Sequence, residues 1–330
     1  MANYFAILLT LATLITGIFW ILERFKFKPA RQRKVEAVRV QTDGNIDGKV
    51  LAEVGKPSKT VDFFASLFPV LFLVFFIRSF VVEPYQIPSG SMMPTLLVGD
   101  FIAVQKYSYG IKDPITNTTL IKTGSPQRGD VAVFKDPTTP GRDLVKRVIG
   151  VPGDKVVYDL NSKILKVYPA CSEPSNDCVA GHQLKSIPIN YSNISDSDWN
   201  MVFGENSLNF HTNEELKTMN LTSASNDVVN LKTRKEMIND KSHDTLIVEY
   251  VDNGRGYYKQ QGQKLGVWVV PEGQYFMMGD NRDNSADSRF WGFAPEESFI
   301  GRASIIWISF DKQPDEWPTG IRFSHLGSVN

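Results

Sequence analysis

Cysteine and histidine are scarce in this 330-residue chain, and neither sign of charge is in surplus. Two cysteines exclude a disulfide-rich scaffold and a multi-cysteine zinc site. Four histidines leave little room for a histidine-rich metal centre, and no metal or cofactor is expected. Thirty-six Lys+Arg balance thirty-six Asp+Glu. That balance argues against a nucleic-acid partner held by bulk charge. With 42% hydrophobic and 22% charged residues, the chain as a whole reads as globular and not as disordered.

The lack of charge is also local. Residues 1–22 carry no charged side chain, and Tyr4 to Leu22 is a 19-residue, mostly apolar run. That is about the length needed to cross a bilayer as a helix. Residues 61–82 form a second run, broken only by Asp62 and Arg78. Between them, residues 23–60 carry ten Lys/Arg against five Asp/Glu, a net charge of +5. A secretory signal peptide places its positive charge before the apolar run; here the charge follows it. The positive-inside rule therefore predicts transmembrane helices over 1–22 and 61–82, a cytoplasmic basic loop over 23–60, and everything after residue 82 outside. Core helices of a soluble protein rarely lack charge over such a length. Pro69 is also better tolerated in a membrane helix. The loop contains Gly44, Gly48, Gly55 and Pro57, shows no strong period and reads as a flexible connector. Binding of anionic lipid would need a denser basic cluster.

Residues 83–330 show short β-type runs between turn signals. The runs are predicted at 100–104, 131–134, 144–148, 155–158, 247–251, 267–270, 275–278 and 300–308, with one short helix at 213–219. Turns are marked by Gly129, Gly141, Gly153, Gly254 and Gly273. The expected fold class is mainly β: two transmembrane helices, then an antiparallel β catalytic core built from 83–158 and 266–330. Residues 159–265 are richer in Asn, Ser, Asp and Lys, and are expected to form an inserted, non-catalytic β subdomain. Cys171 and Cys178 lie within it. Outside the membrane they meet an oxidising compartment, so a small disulfide loop is expected. Two free thiols, or a metal site recruiting His182, are the alternatives.

Three segments concentrate reactive residues. The first is Pro88-Ser89-Gly90-Ser91-Met92-Met93-Pro94-Thr95-Leu96, an irregular turn directly after the second span. The second, Asp143-Leu144-Val145-Lys146-Arg147-Val148-Ile149-Gly150-Val151-Pro152-Gly153-Asp154, places Leu144, Lys146 and Val148 on one strand face. A lysine on an apolar face is costly unless it is used. The third runs from Gly279 to Arg289, GDNRDNSADSR. Each also has a bland reading, as a loop, an edge-strand gatekeeper or a solvated turn. The third offers oxygens for calcium but lacks EF-hand spacing, and two arginines intrude. An acyl-transfer serine needs a base, and no histidine lies between residues 83 and 181. A lysine serves if burial lowers its pKa from about 10.4 toward neutrality.

In this order, behind two spans, the three segments resemble bacterial signal peptidase I (leader peptidase) in the two-span form typical of Gram-negative bacteria. The resemblance covers almost the whole chain; the insertion is its least diagnostic part. It implies a membrane-bound serine endopeptidase that removes signal peptides from exported preproteins through an acyl-enzyme. Ser91 looks like the nucleophile and Lys146 like the general base, with Ser285 orienting the amine. The Ser91 N–H and the Ser89 hydroxyl would hold the oxyanion. Asp287 and Arg289 look like a supporting ion pair, with Asp280 and Arg147 behind them. Gly279 would be glycine because a side chain there would crowd the lysine. Specificity in this family is for small residues, typically Ala, at −1 and −3. By the same matching, Ile87, Met92, Leu96, Leu144 and Val145 would line the −1 pocket. Tyr85, Ile102 and Val133 would contribute to the −3 pocket. Preproteins delivered by the secretion translocon, and membrane lipid, are the implied partners. The implied location is the inner membrane, with the catalytic domain facing the periplasm.

A penicillin-recognising enzyme is the nearest rival, through Ser309–Lys312 and Lys122-Thr123-Gly124. These motifs stand in reversed order, without Ser-Asp-Asn. A membrane-anchored adaptor would not account for Ser91, Lys146 and the third segment together. A channel would need more than two spans. The charge pattern makes a direct prediction about orientation. Protease added outside spheroplasts is expected to digest the domain after residue 82 and to spare residues 23–60. Cleavage confined to the loop would establish the inverted orientation.

Overall fold

The computed structural model describes residues 2–43, 46–171, 178–179, 181–183, 185–204, 208–221, 227–250, 252–313 and 317–329. They fall into two compact units: Met1–Val81 with Asp113–Asn117, and Val82–Lys112 with Thr118–Asn330.

In the first unit the uncharged run is an α-helix, Ala2–Leu22. It continues through a π-helical turn, Glu23–Phe27, into the helix Lys28–Gln41. The second apolar run is the helix Lys59–Phe76, extended by a π-helical turn over Ile77–Val81 and accommodating Pro69. Both helices are long and apolar enough to span a membrane. They pack on each other through aromatic rings: Phe19 stacks on Phe64 at 5.0 Å and Trp20 lies 5.4 Å from Phe68. Gly17 permits that approach, since a Cβ there would sit 3.0 Å from the Phe68 ring.

The basic loop is not the irregular connector its composition suggests. Lys28–Gln41 and Gly48–Val54 are helical. Lys, Arg, Gln, Glu and Ala dominate the first and are strong helix formers in spite of their polarity. Pro29 falls in its first turn, where its missing N–H costs nothing. Arg31 pairs with Glu23 and donates to the Gly55 carbonyl at 3.2 Å, tying the short second helix back. Gly44 lies outside the described residues.

The second unit is mainly antiparallel β. Its largest sheet has nine strands. The main path runs Val82–Gln86, Asp100–Gln105, Phe299–Asp311, Val131–Lys135, Asp143–Gly150, Gln274–Met278, Ala294–Pro295. Successive side chains of a strand enter different cores, as a period of two requires. Val133 joins Ile87, Met92, Leu96 and Ile102 in one cluster. Its neighbours Ala132 and Phe134 join Val148 and Phe299 in another.

Among the described residues there are four further sheets, two of them only two-stranded and the other two larger. Lys155–Tyr158 and Val267–Val269 do not join the main sheet; with Leu165–Tyr168 they form a separate three-stranded one. Five strands, Ile189–Tyr191, Ser195–Phe203, Leu208–Thr212, Val228–Ile238 and Lys241–Ile247, make the inserted sheet. The strand predicted at 247–251 therefore ends where it was expected to begin, and residue 251 lies outside the described residues. Polar residues mask Lys241–Ile247 and Val228–Ile238, because Arg234, Glu236, His243 and Thr245 point inward. The short helix is Asn213–Thr218, opened by a capping box between Thr212 and Glu215. Cys171 and Cys178 are joined by a disulfide, with Cα atoms 6.1 Å apart. The bond leaves neither sulfur free to join His182 at a metal.

Candidate active site

The chain leaves the edge strand Val82–Gln86 and makes a 3₁₀ turn, Gly90–Met92, which carries Ser91. Met92 and Met93 are sunk in the core on either side of the sheet-to-insert junction and anchor the turn. Gly90 is required there: a Cβ would come 2.5 Å from the Phe210 ring. Lys146 rises from Asp143–Gly150 and is only 3% exposed. Its Nζ donates to Ser91 Oγ at 2.5 Å. Burial lowers the Lys146 pKa to about 8. The Asp287 and Asp280 carboxylates oppose the shift, while the Arg289 and Arg142 charges add to it.

The segment Gly279–Arg289 locks both partners. Asn281 donates its backbone N–H to the Ser91 carbonyl and its side-chain amide to the Gly90 carbonyl, each at 3.1 Å. Gly279 lies against them. A Cβ there would fall 2.3 Å from Ser285 Oγ and 2.4 Å from the Ser91 carbonyl oxygen. The crowding that demands glycine involves these two serines first. Asp280 receives Arg147 through two hydrogen bonds, 2.9 and 2.7 Å, and Thr95 Oγ1 at 2.5 Å. Asp287 holds Arg289 through two bonds of 2.9 Å and accepts the Gly279 N–H at 3.1 Å. Burial alone would raise both carboxyls. The charge of Arg147 on Asp280, and of Arg289 on Asp287, keeps them below the usual range.

The structure thus gathers Ser91, Lys146, Gly279, Asp280, Arg147, Asp287 and Arg289. It does not bond Ser89 or Ser285 to the pair. Ser89 is exposed, in extended backbone before the turn. Ser285 Oγ is buried beside Gly279 without a hydrogen-bond partner. Among the apolar positions, Ile87, Met92, Leu96, Ile102 and Val133 form one cluster, with Tyr85 and Val145 packed on it. Leu144 packs instead with the cluster of Phe134 and Val148, because its neighbour Val145 takes the other face of the strand. Thr95 and Asn281 lie in the segments picked out by sequence but carry no assigned role there, and the buried pair of Arg282 with Glu236, at 2.6 and 2.9 Å, has no sequence signal as a pair. Asn281 and Arg282 sit inside a conspicuous segment; Glu236 has no local motif around it.

The rival serine and lysine are engaged elsewhere. Ser309 donates to Asp100 at 2.6 Å, and Lys122 pairs with Glu296 at 2.8 Å. Among the described residues no group of three or more His, Cys, Asp or Glu is arranged to hold a metal.

The family model described as signal peptidase, peptidase S26, matches residues 60–175 and 223–308. A signal peptidase I of Buchnera aphidicola subsp. Acyrthosiphon pisum is 43% identical and covers all of both chains. One from Haemophilus influenzae is 37% identical over 98% of this chain and 91% of its own. One from Pseudomonas aeruginosa is 33% identical over 99% of each. A solved signal peptidase I from Enterococcus faecalis is 20% identical over 54% of this chain and 97% of its own. Its TM-score of 0.23 is too low for the fold to be argued from it.

The close approach at Gly279 sets a test. Gly279→Ala is expected to retain the circular dichroism spectrum of the folded protein while losing at least about a hundredfold in peptide cleavage. The added methyl must displace the Ser91 carbonyl or the Ser285 hydroxyl. A folded Gly279→Ala protein with full activity would show that neither contact matters.

Proposed function

From the premise that this chain belongs to the signal peptidase family, peptidase S26, we propose that it cleaves preproteins with Ser91 as nucleophile and Lys146 as general base. Signal peptide removal is the activity of the family. The observation that carries the assignment of roles is the 2.5 Å contact between Ser91 Oγ and a buried lysine whose pKa falls to about 8.

In this reading the neutral Lys146 amine takes the Ser91 proton as Oγ attacks the scissile carbonyl. It returns that proton to the leaving amine, and an acyl-enzyme remains for water to hydrolyse. The Ser91 N–H, with the Ser89 hydroxyl turned inward, would receive the oxyanion. The unpartnered Ser285 hydroxyl fits an orienting role, since it offers the lysine a second contact once Ser91 is acylated. Val82–Gln86 ends the sheet path, so an extended substrate can add beside it as a further strand. The cluster of Ile87, Met92, Leu96 and Val145 would then meet the −1 side chain. Tyr85, Ile102 and Val133 would meet the −3 side chain. Small residues, such as Ala, suit both. The charge between the spans supports a periplasm-facing catalytic domain at the inner membrane, receiving preproteins from the secretion translocon.

Lipid contact is part of the same reading. Trp317 is 91% exposed, Phe323 74% and Trp307 52%, whereas Phe310 packs edge-on against Phe101. Trp favours the membrane–water boundary. In nanodiscs, brominated lipid is expected to quench Trp307 and Trp317 fluorescence in the full-length protein. Unquenched fluorescence, compared with Trp307→Phe and Trp317→Phe, would remove lipid from the partners of this surface.

The role of the lysine is tested by rate against pH. Lys146 must be neutral to act, so activity is present above its pKa and is lost as pH falls through about 8. The expected slope is about tenfold per unit on the acid side. Lys146→Ala is expected to lose about three powers of ten or more in turnover with the fold intact. Lys146→Arg should be equally inactive, because a guanidinium stays protonated. Substantial turnover by a folded Lys146→Arg protein would sink the serine–lysine mechanism.

A further inference from the structure

The inserted sheet reaches the serine turn through a chain of buried contacts. Leu246, on its strand Lys241–Ile247, pairs as a parallel bridge with Asn281. Its N–H donates to the Asp280 carbonyl at 3.0 Å, and its carbonyl accepts the Arg282 N–H at 2.8 Å. The neighbouring strand, Val228–Ile238, supplies Glu236, which is fully buried and grips both terminal nitrogens of Arg282. Arg282 Nε donates in turn to the Gly279 carbonyl at 3.2 Å. Gly279 is the residue that lies with no room to spare against the Ser91 carbonyl and Ser285. A guanidinium held on one side by a bidentate carboxylate thus sets the position of a peptide that touches the nucleophile's own peptide.

The local electrostatics agree. Burial would raise the Glu236 carboxyl. The Arg282 charge and the nearby His243, whose Nε2 lies 3.2 Å from Oε1, hold it well below the ordinary range. The low pKa favours the ionised carboxylate, which pairs with Arg282 at 2.6 and 2.9 Å. Val248, just past that strand, and Lys163, from the turn of the three-stranded sheet, hold the next residues of the segment. Asp283 accepts from the Val248 N–H and from Lys163 Nζ, both at 2.7 Å.

We propose that Glu236, supplied by the inserted sheet, is a positioning residue for the peptidase reaction, acting through Arg282 and Gly279 on Ser91. This rests on Ser91 being the nucleophile. The insertion is then not a spacer, because it sets the aim of the serine without touching substrate.

The test is kinetic and uses the full-length enzyme in detergent, on a signal-peptide substrate, with rates expressed per titrated active site. Glu236→Gln keeps the shape and removes the charge that fixes Arg282. Its kcat is expected to fall about tenfold or more with KM within about twofold of wild type. Glu236→Asp and Arg282→Lys, which keep charge but break the two-pronged fit, should give smaller losses, again in kcat. Lys235→Ala, on the exposed side of the same strand, should leave both constants unchanged. A purely structural role would lower the thermal midpoint and the fraction of titratable sites, yet leave kcat per site at the wild-type value. That result in Glu236→Gln overturns the proposal, as does a loss confined to KM. Should Glu236→Gln fail to fold, Glu236→Asp and Arg282→Lys decide by the same criteria. Ser91→Ala, run alongside, separates the two levels. If it retains activity, the assignment of the nucleophile fails. If it is inactive while the Glu236 variants are normal, this inference alone fails.

Discussion

A lysine amine that is buried 2.5 Å from a serine hydroxyl, and that the proposed mechanism needs uncharged, is the constraint on which the rest of the site depends. Burial favours the neutral amine. Two carboxylates close enough to act on Lys146, those of Asp287 and Asp280, favour the ammonium. Left unpaired they would hold the lysine charged and inactive. Each is instead bound by an arginine, Asp280 by Arg147 and Asp287 by Arg289, with all four side chains out of solvent. Buried ion pairs contribute little net stability, because desolvation offsets their attraction. Their value here is local. They fix the segment after Gly279 through strong, directional bonds while returning little net negative field to the amine.

The sheet makes that arrangement geometrically available. Lys146 lies opposite Ala132, a small residue that leaves room beside it, and Arg147 lies opposite Met278, the last residue before Gly279. One strand thereby presents the lysine and the arginine that ties the third segment down. The register between Asp143–Gly150 and Gln274–Met278 slips between Phe276 and Met277. Irregularities of this kind re-aim side chains near active sites. Here the shift falls two residues before the glycine on which the serine turn rests.

What could be read from the sequence follows from how local each signal is. Both membrane-length helices announce themselves by scarce charge over consecutive residues, and the strands at 131–134 and 275–278 by dense apolar runs. The inserted sheet was legible only as a change of texture. Val228–Ile238 and Lys241–Ile247 bury Arg234, Glu236 and His243, so their inward faces do not read as apolar. The helix Lys28–Gln41 was missed because polar helix formers without an apolar stripe resemble a linker. Ser91, Lys146 and the Asp280 and Asp287 pairs, which the structure brings together, could be picked out because they cluster in three short boxes. Glu236 could not be, since its contact is with a partner 46 residues away. Leu144 and Val145 pack apart for a local reason. Adjacent residues of one strand cannot share a face, and the structure sends them to different clusters.

The proposed selectivity for small side chains follows from the same packing. Ile87, Leu96, Ile102 and Val133 are nearly inaccessible before any substrate arrives. They are core residues of the sheet first and pocket floor second. Such a floor is close-packed and cannot recede, because moving it would open voids or force side chains off their rotamers. A methyl group laid on it gains apolar contact. A larger side chain either stands away from the floor or pushes its own backbone off the edge strand, and with it the scissile carbonyl off Ser91. Discrimination by size then needs no dedicated gate. It arises because the wall that recognises the substrate is the wall that holds the catalytic turn in place.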